Sequence, residues 1–152
     1  MKNNLKKIIK TIVPLIILSF LLAGCWGGSD TRVTLKVNIY TDSMTNNGQV
    51  FYSLVRADDD QKFFSATFQN LYKDYLTDKT ITKIFIRPQD GKITRKIVFQ
   101  KGDSVSVYFL FSSETGETWK YRINNLEDDE TYNFTIGQSS IIKVKKGGFS
   151  IF

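Results

Sequence analysis

Histidine is missing from this chain, and cysteine occurs once, at Cys25. Without histidine or a second thiol, the usual zinc ligand sets and the Ser–His and Cys–His nucleophile pairs cannot be assembled. An intramolecular disulfide cannot form either, so the core alone must hold the fold. The acidic runs Asp58–Asp60 and Glu127–Glu130 lack the alternating aspartates and later glutamate of a calcium loop. Repeats and low-complexity tracts are absent. A carboxylate-dependent hydrolase stays open on composition, because it needs only two carboxylates facing each other at about 5–9.5 Å. With most catalytic constellations removed, the expectation is a protein that is not an enzyme and needs no cofactor.

Long hydrophobic runs are also scarce. Thr11–Leu22 is apolar but for a few residues and is 12 residues long, short of the roughly 20 that a spanning helix requires. It follows the lysines Lys2, Lys6, Lys7 and Lys10 and precedes the small residues Ala23 and Gly24. Positive, apolar and small in that order is the layout of a secretory signal peptide. Leu22-Ala23-Gly24-Cys25 resembles the lipobox of bacterial lipoproteins, in which the chain is cut before the cysteine and acyl chains are attached there. Residues 1–24 are then the removed signal, and Cys25 is the lipidation site. Two or more acyl chains give stable anchoring where one does not. Trp26, rather than an aspartate, follows Cys25; by the same resemblance this directs the protein to the outer membrane.

Losing the four signal lysines lowers the formal charge from +6 to +2 over the remaining 128 residues. Most of the basic excess therefore belongs to a discarded segment, and nucleic acid is not an expected partner. The mature length suits one domain. Residues 25–32 read as a lipidated tether of about 25 Å reach at most, and residues 33–152 as the domain.

Val33, Leu35, Val37 and Ile39 alternate with polar residues, the period of a half-buried strand. The turn-formers Thr41–Gln49 follow, exceeding a minimal hairpin, so this loop should protrude before a second strand over Val50–Arg56. Phe64, Phe68, Leu71, Tyr72 and Tyr75 predict a single helix over about Gln61–Leu76, with Asp58–Asp60 at its start. Phe63 falls outside that stripe. Further strands are expected over Thr80–Arg87, Lys92–Gln100, Ser104–Ser113, Thr118–Ile123, Thr131–Gly137 and Ile141–Lys146, with a turn at Glu114–Glu117. Ser104–Ser113 is apolar on both faces and should be central. Short strands at such spacing with one inserted helix predict a mainly β, two-sheet sandwich. Trp119 raises the alternative of an aromatic platform for a small ligand, glycan or peptide, although its alternation with Lys120 and Arg122 assigns it to the core. Lys143, Lys145 and Lys146 could touch lipid headgroups, yet an edge strand carries lysines for its own reasons.

The order of lipobox, first strand, Asn46-Asn47-Gly48 loop, second strand and "FFSATFQNLYKDYL" resembles the outer-membrane lipoproteins of type VI secretion, the TssJ (SciN) family. Phe63, Ala66, Phe68 and Leu71 match the family's F-x-x-A-x-F-x-x-L-like stretch closely, and the late strand followed by Trp119-Lys120 matches another of its features. The resemblance implies a transthyretin-like sandwich with an inserted helix and a structural role. The loop between the first two strands would dock the periplasmic domain of an inner-membrane, TssM-like secretion protein. The residues so implied are Asp42, Ser43, Met44, Thr45, Asn46, Asn47, Gly48 and Gln49, with Met44 as the apolar anchor.

Overall fold

The computed structural model describes residues 31–112 and 118–147. The expected signal peptide, Cys25, most of the expected tether and the turn expected at Glu114–Glu117 lie outside the described residues. The strands are β1 Arg32–Tyr40, β2 Phe51–Ala57, β3 Thr82–Ile86, β4 Lys92–Gln100, β5 Val105–Leu110, β6 Lys120–Ile123, β7 Glu130–Ile136 and β8 Ile141–Gly147. They form two four-stranded sheets in the orders β4-β1-β7-β8 and β3-β2-β5-β6. The result is the expected two-sheet sandwich, with β5 in the interior of its sheet.

Alternation decides the packing. Leu35, Val37 and Ile39 of β1, with Phe134 beside them on β7, pack with Val107 and Phe109 of β5 and Ile84 and Ile86 of β3 in one inter-sheet cluster. β1 lies inside its sheet, antiparallel to β4 and parallel to β7. Residues at the ends of β1 and β7 therefore meet at one end of the sandwich. The turns after β3 and β7 and the chain after β5 reach that same end, while β1 begins at the other.

The helical insertion lies between β2 and β3, but the continuous helix over Gln61–Leu76 is two segments, α1 Asp60–Ser65 and α2 Phe68–Thr77. Ala66 and Thr67 are extended between them, and the Thr67 hydroxyl accepts from the Asn70 amide at 3.2 Å, an N-cap for α2. The break re-aims α1. Phe63 turns inward, its ring 6.1 Å from that of Tyr108, while Phe64 is 73% exposed. This reverses the expected roles of the two phenylalanines, because the periodicity across both segments is not that of one helix. Leu71 is fully buried with Leu54, Ile81 and Tyr108, a second cluster on the other face of the β2–β5 pair. Burying a leucine contributes about 1.5–3 kcal/mol, and it ties the insertion to the sheet.

A polar strut does the same. Asp59 caps α1, accepting from the Lys62 amide at 2.7 Å, but Asp58 is buried just past the end of β2, its amide donating to the Ser104 carbonyl at 2.9 Å. Arg56 reaches Asp58 at 2.8 Å and Asp74 of α2 at 2.7 Å. Tyr108 donates its hydroxyl to Asp58 at 2.6 Å. Burial, reinforced by that hydrogen bond, pushes the Tyr108 phenol up to about 12. An unfolded tyrosine ionises near 10, so the folded state keeps a proton that the unfolded chain gives up. Stability should therefore fall as pH rises from about 10 to 12, by up to roughly 1.4 kcal/mol per unit from this group. Tyr108→Phe should lose that share of the alkaline slope in denaturant titrations; an unchanged slope would count against the strut.

Candidate docking loop

Thr41–Val50 crosses from one sheet to the other at the end of the sandwich opposite the start of β1. Asp42 begins it. One carboxylate oxygen accepts from the amides of Met44 and Thr45, both at 2.9 Å, the local ring that favours aspartate in turns. The buried Thr45 hydroxyl accepts from the Asp42 amide at 2.9 Å and donates to the carbonyl of Ile136, at the end of β7, at 3.0 Å.

Asn46 is the pin. Its side chain is fully buried. Its amide nitrogen donates to the Gln49 carbonyl at 2.9 Å, and its oxygen accepts from the Ser112 amide at 2.9 Å and hydroxyl at 3.0 Å. Its backbone N–H reaches the Gly137 carbonyl at 3.2 Å. Asn46 and Asn47 have φ of 50° and 55°, and Gly48 of 75°. Left-handed backbone costs most residues about 1–2 kcal/mol, and glycine and asparagine least. The Asn-Asn-Gly triplet is therefore the chemistry this turn demands. Asn47 accepts from the Gln138 side chain, which joins the loop to the β7–β8 turn. Thr41 binds the β3–β4 turn through Gly91 at 3.0 Å and Pro88 at 2.8 Å.

Of the eight residues singled out, Thr45 and Asn46 face inward and set the loop's shape. Asp42, Ser43, Met44, Asn47, Gly48 and Gln49 are exposed, Met44 by 62%. Ser112, Ile136, Gly137 and Gln138 belong to the same unit. Their signal would have been the parallel β1–β7 pairing, which strand periodicity does not reveal. Beside the loop a cleft of about 760 Å³ is lined by Val50, Tyr52, Phe68, Tyr72, Tyr75 and Phe111, among others.

Trp119 is not in that lining. Its ring lies 4.6 Å from Phe68 and 6.0 Å from Tyr108, half-buried at the junction of the two clusters. Lys120 donates to the carbonyl of Phe63 at 2.8 Å, occupying the open end of α1. Desolvation lowers the Lys120 ammonium below its ordinary range. The Trp-Lys pair thus fastens the insertion. Of the acidic runs, Asp60 pairs with Arg122 at 2.8 Å, Glu127 with Lys101 at 3.4 Å and Glu130 with Lys146 at 2.6 Å, while Asp129 accepts from the Thr34 amide.

A two-sheet sandwich with this insertion is the fold of the TssJ-like lipoproteins of type VI secretion. The type VI lipoprotein TssJ1 from Pseudomonas aeruginosa is 12% identical, with a TM-score of 0.58 over 76% of this chain and 97% of that one. Lip from Serratia marcescens, described as a membrane-bound component of the type VI secretion system, is 15% identical, with a TM-score of 0.56 over 77% and 98%. A chain of the structure described as the TssM C-terminal domain from EAEC is 16% identical, with a TM-score of 0.59 over 74% and 97%. No curated protein matches. The model of the IglE N-terminal domain matches residues 52–136, more than half of the chain, and the chain belongs to that family.

The loop makes a stability prediction. Asn46→Ala strands the Ser112 amide and forces alanine into left-handed backbone, so it should destabilise the domain by about 2–4 kcal/mol in denaturant unfolding. Asn47→Gly keeps a residue at ease there and should cost much less.

Proposed function

We propose that this protein is a lipoprotein held on the periplasmic face of the outer membrane by acyl chains on Cys25. There it acts as a structural component of a type VI secretion membrane complex. The loop from Asp42 to Gln49 docks the periplasmic domain of an inner-membrane, TssM-like protein. The observation that carries the reading is the pre-shaped loop, with Thr45 and Asn46 locked inward and Met44 held outward. A loop already fixed in one conformation loses little entropy on binding. The lipobox resemblance and the fold shared with type VI lipoproteins support the setting. Asp42, Ser43, Asn47, Gly48 and Gln49 supply polar groups around the apolar anchor, the arrangement of a small interface centre with a wet rim.

Met44→Asp should leave the melting temperature near that of the parent and lower affinity for the partner's periplasmic domain by tenfold or more, about 1.4 kcal/mol, the scale of an interface hot spot. Undiminished affinity would remove the loop from the interface. Cys25→Ser should fold normally yet move from the membrane fraction to the soluble fraction of cells. Retention in the membrane fraction through a high-salt wash would end the anchor assignment.

The aromatic cleft favours a second reading, a lipoprotein that binds a small ligand, glycan or peptide between α2 and the β2–β5 pair. Tyr72→Ala should weaken such binding and leave partner capture unchanged.

A further inference from the structure

The outward face of the β4-β1-β7-β8 sheet collects lysines that are scattered in sequence. The register sets Lys96 opposite Lys36 and Thr131 opposite Gly147 in one row. The next row holds Thr94, Asn38, Asn133 and Lys145, and the next Lys92, Tyr40, Thr135 and Lys143. The outward positions in these rows include five lysines and no carboxylate. Asp129 and Glu130 lie at the rim near Thr34 and Lys36, and Glu130 is already paired with Lys146. Lys36 is half-buried and the other four are exposed. Lys92 lies over the Tyr40 ring at 5.2 Å.

The middle row is rigid. Thr94 donates to Asn38 at 2.8 Å, and Asn38 donates to Asn133 at 2.9 Å. This leaves a hydrogen-bonded polar floor with cationic groups standing on it. Lysines on β4 and β8 have an ordinary explanation, since both are edge strands and charge discourages edge pairing. Lys36 has no such explanation, because β1 is an interior strand. Lys36 directly opposite Lys96 is moreover a like-charge cross-strand pair, which destabilises a sheet. An anionic surface would relieve that repulsion.

We propose that this face lies on the anionic phospholipid headgroups of the membrane to which the chain is tethered. Three observations select a bilayer over an acidic protein. The face is continuous across four hydrogen-bonded strands, its three central rows carry five lysines and no carboxylate, and β1, which runs through it, follows directly on the short tether. That choice rests on Cys25 being the anchor. Docked this way, the sandwich keeps the helical insertion turned away from the bilayer. The Asp42–Gln49 loop stays free at the sandwich end.

The lipidated protein, reconstituted in phosphatidylcholine vesicles with or without phosphatidylglycerol, tests the proposal by amine acylation read by mass spectrometry. Lys36, Lys92, Lys96, Lys143 and Lys145 should be protected in the anionic vesicles alone, and protection should vanish at high salt. Lys62, Lys73 and Lys79 of the insertion should react equally in both. Equal reactivity of the five in both vesicle types overturns the proposal while leaving the anchor intact. A second measurement needs no acyl chain: the processed chain from residue 25 with Cys25→Ser should float with anionic vesicles at low salt. Combined Lys36→Glu, Lys96→Glu and Lys145→Glu should reduce that binding by tenfold or more. Lys62→Glu, Lys73→Glu and Lys79→Glu, the same charge change elsewhere, should leave it within about twofold. Absence of flotation at low salt, or equal loss in both triple variants, also overturns the proposal. If the first triple variant instead floats normally and fails to capture the inner-membrane partner, the occupant is an acidic protein and the membrane assignment falls.

Discussion

β1 is hydrogen-bonded along both sides, antiparallel to β4 and parallel to β7, and the arrangement of the whole domain depends on it. A parallel pair cannot be closed by a hairpin and needs a long crossover. Here the crossover is the entire second sheet with its helical insertion, together with β4, which returns to pair with β1. The pairing brings the ends of β1 and β7 together, so that Thr45 can reach Ile136 and Asn46 can reach Gly137. It also places Lys36 between the lysines of the two edge strands.

The loop after β1 divides its residues between two tasks. Asp42, Thr45 and Asn46 spend their polar groups on the fold, and the left-handed triplet Asn46-Asn47-Gly48 sets the backbone. Met44 and its neighbours are presented as a consequence. A loop of this composition without Ser112 and the β7–β8 turn would leave the Asn46 side-chain oxygen and backbone N–H without their partners. Its form is therefore a property of the assembled sandwich end rather than of the loop itself.

The insertion shows a similar dependence. Its apolar residues are legible as helical, and the pattern Phe63, Ala66, Phe68 and Leu71 is present in the chain as written. Which phenylalanine faces inward is not legible from one helical wheel, because Thr67 starts a second helix with a different phase. Asp58 looks like a helix-start charge in sequence. In the fold it is the buried partner of Arg56 and Tyr108, since its strand carries it beneath the insertion. Trp119 reads as core and is half-buried, and Lys120 beside it takes up the carbonyls at the end of α1.

The sequence by itself determined the strands, their buried faces, the place of the insertion and the turn chemistry at Asn46-Asn47-Gly48. These follow from local periodicity and from backbone conformations that few residues tolerate. Only the tertiary structure decided that β1 pairs with β7, that Ser112 and Gln138 complete the loop, and that Lys36, Lys92, Lys96, Lys143 and Lys145 share one face. Those facts rest on contacts between residues far apart in the chain. Register and sheet order set such contacts, and no local pattern of residues encodes them.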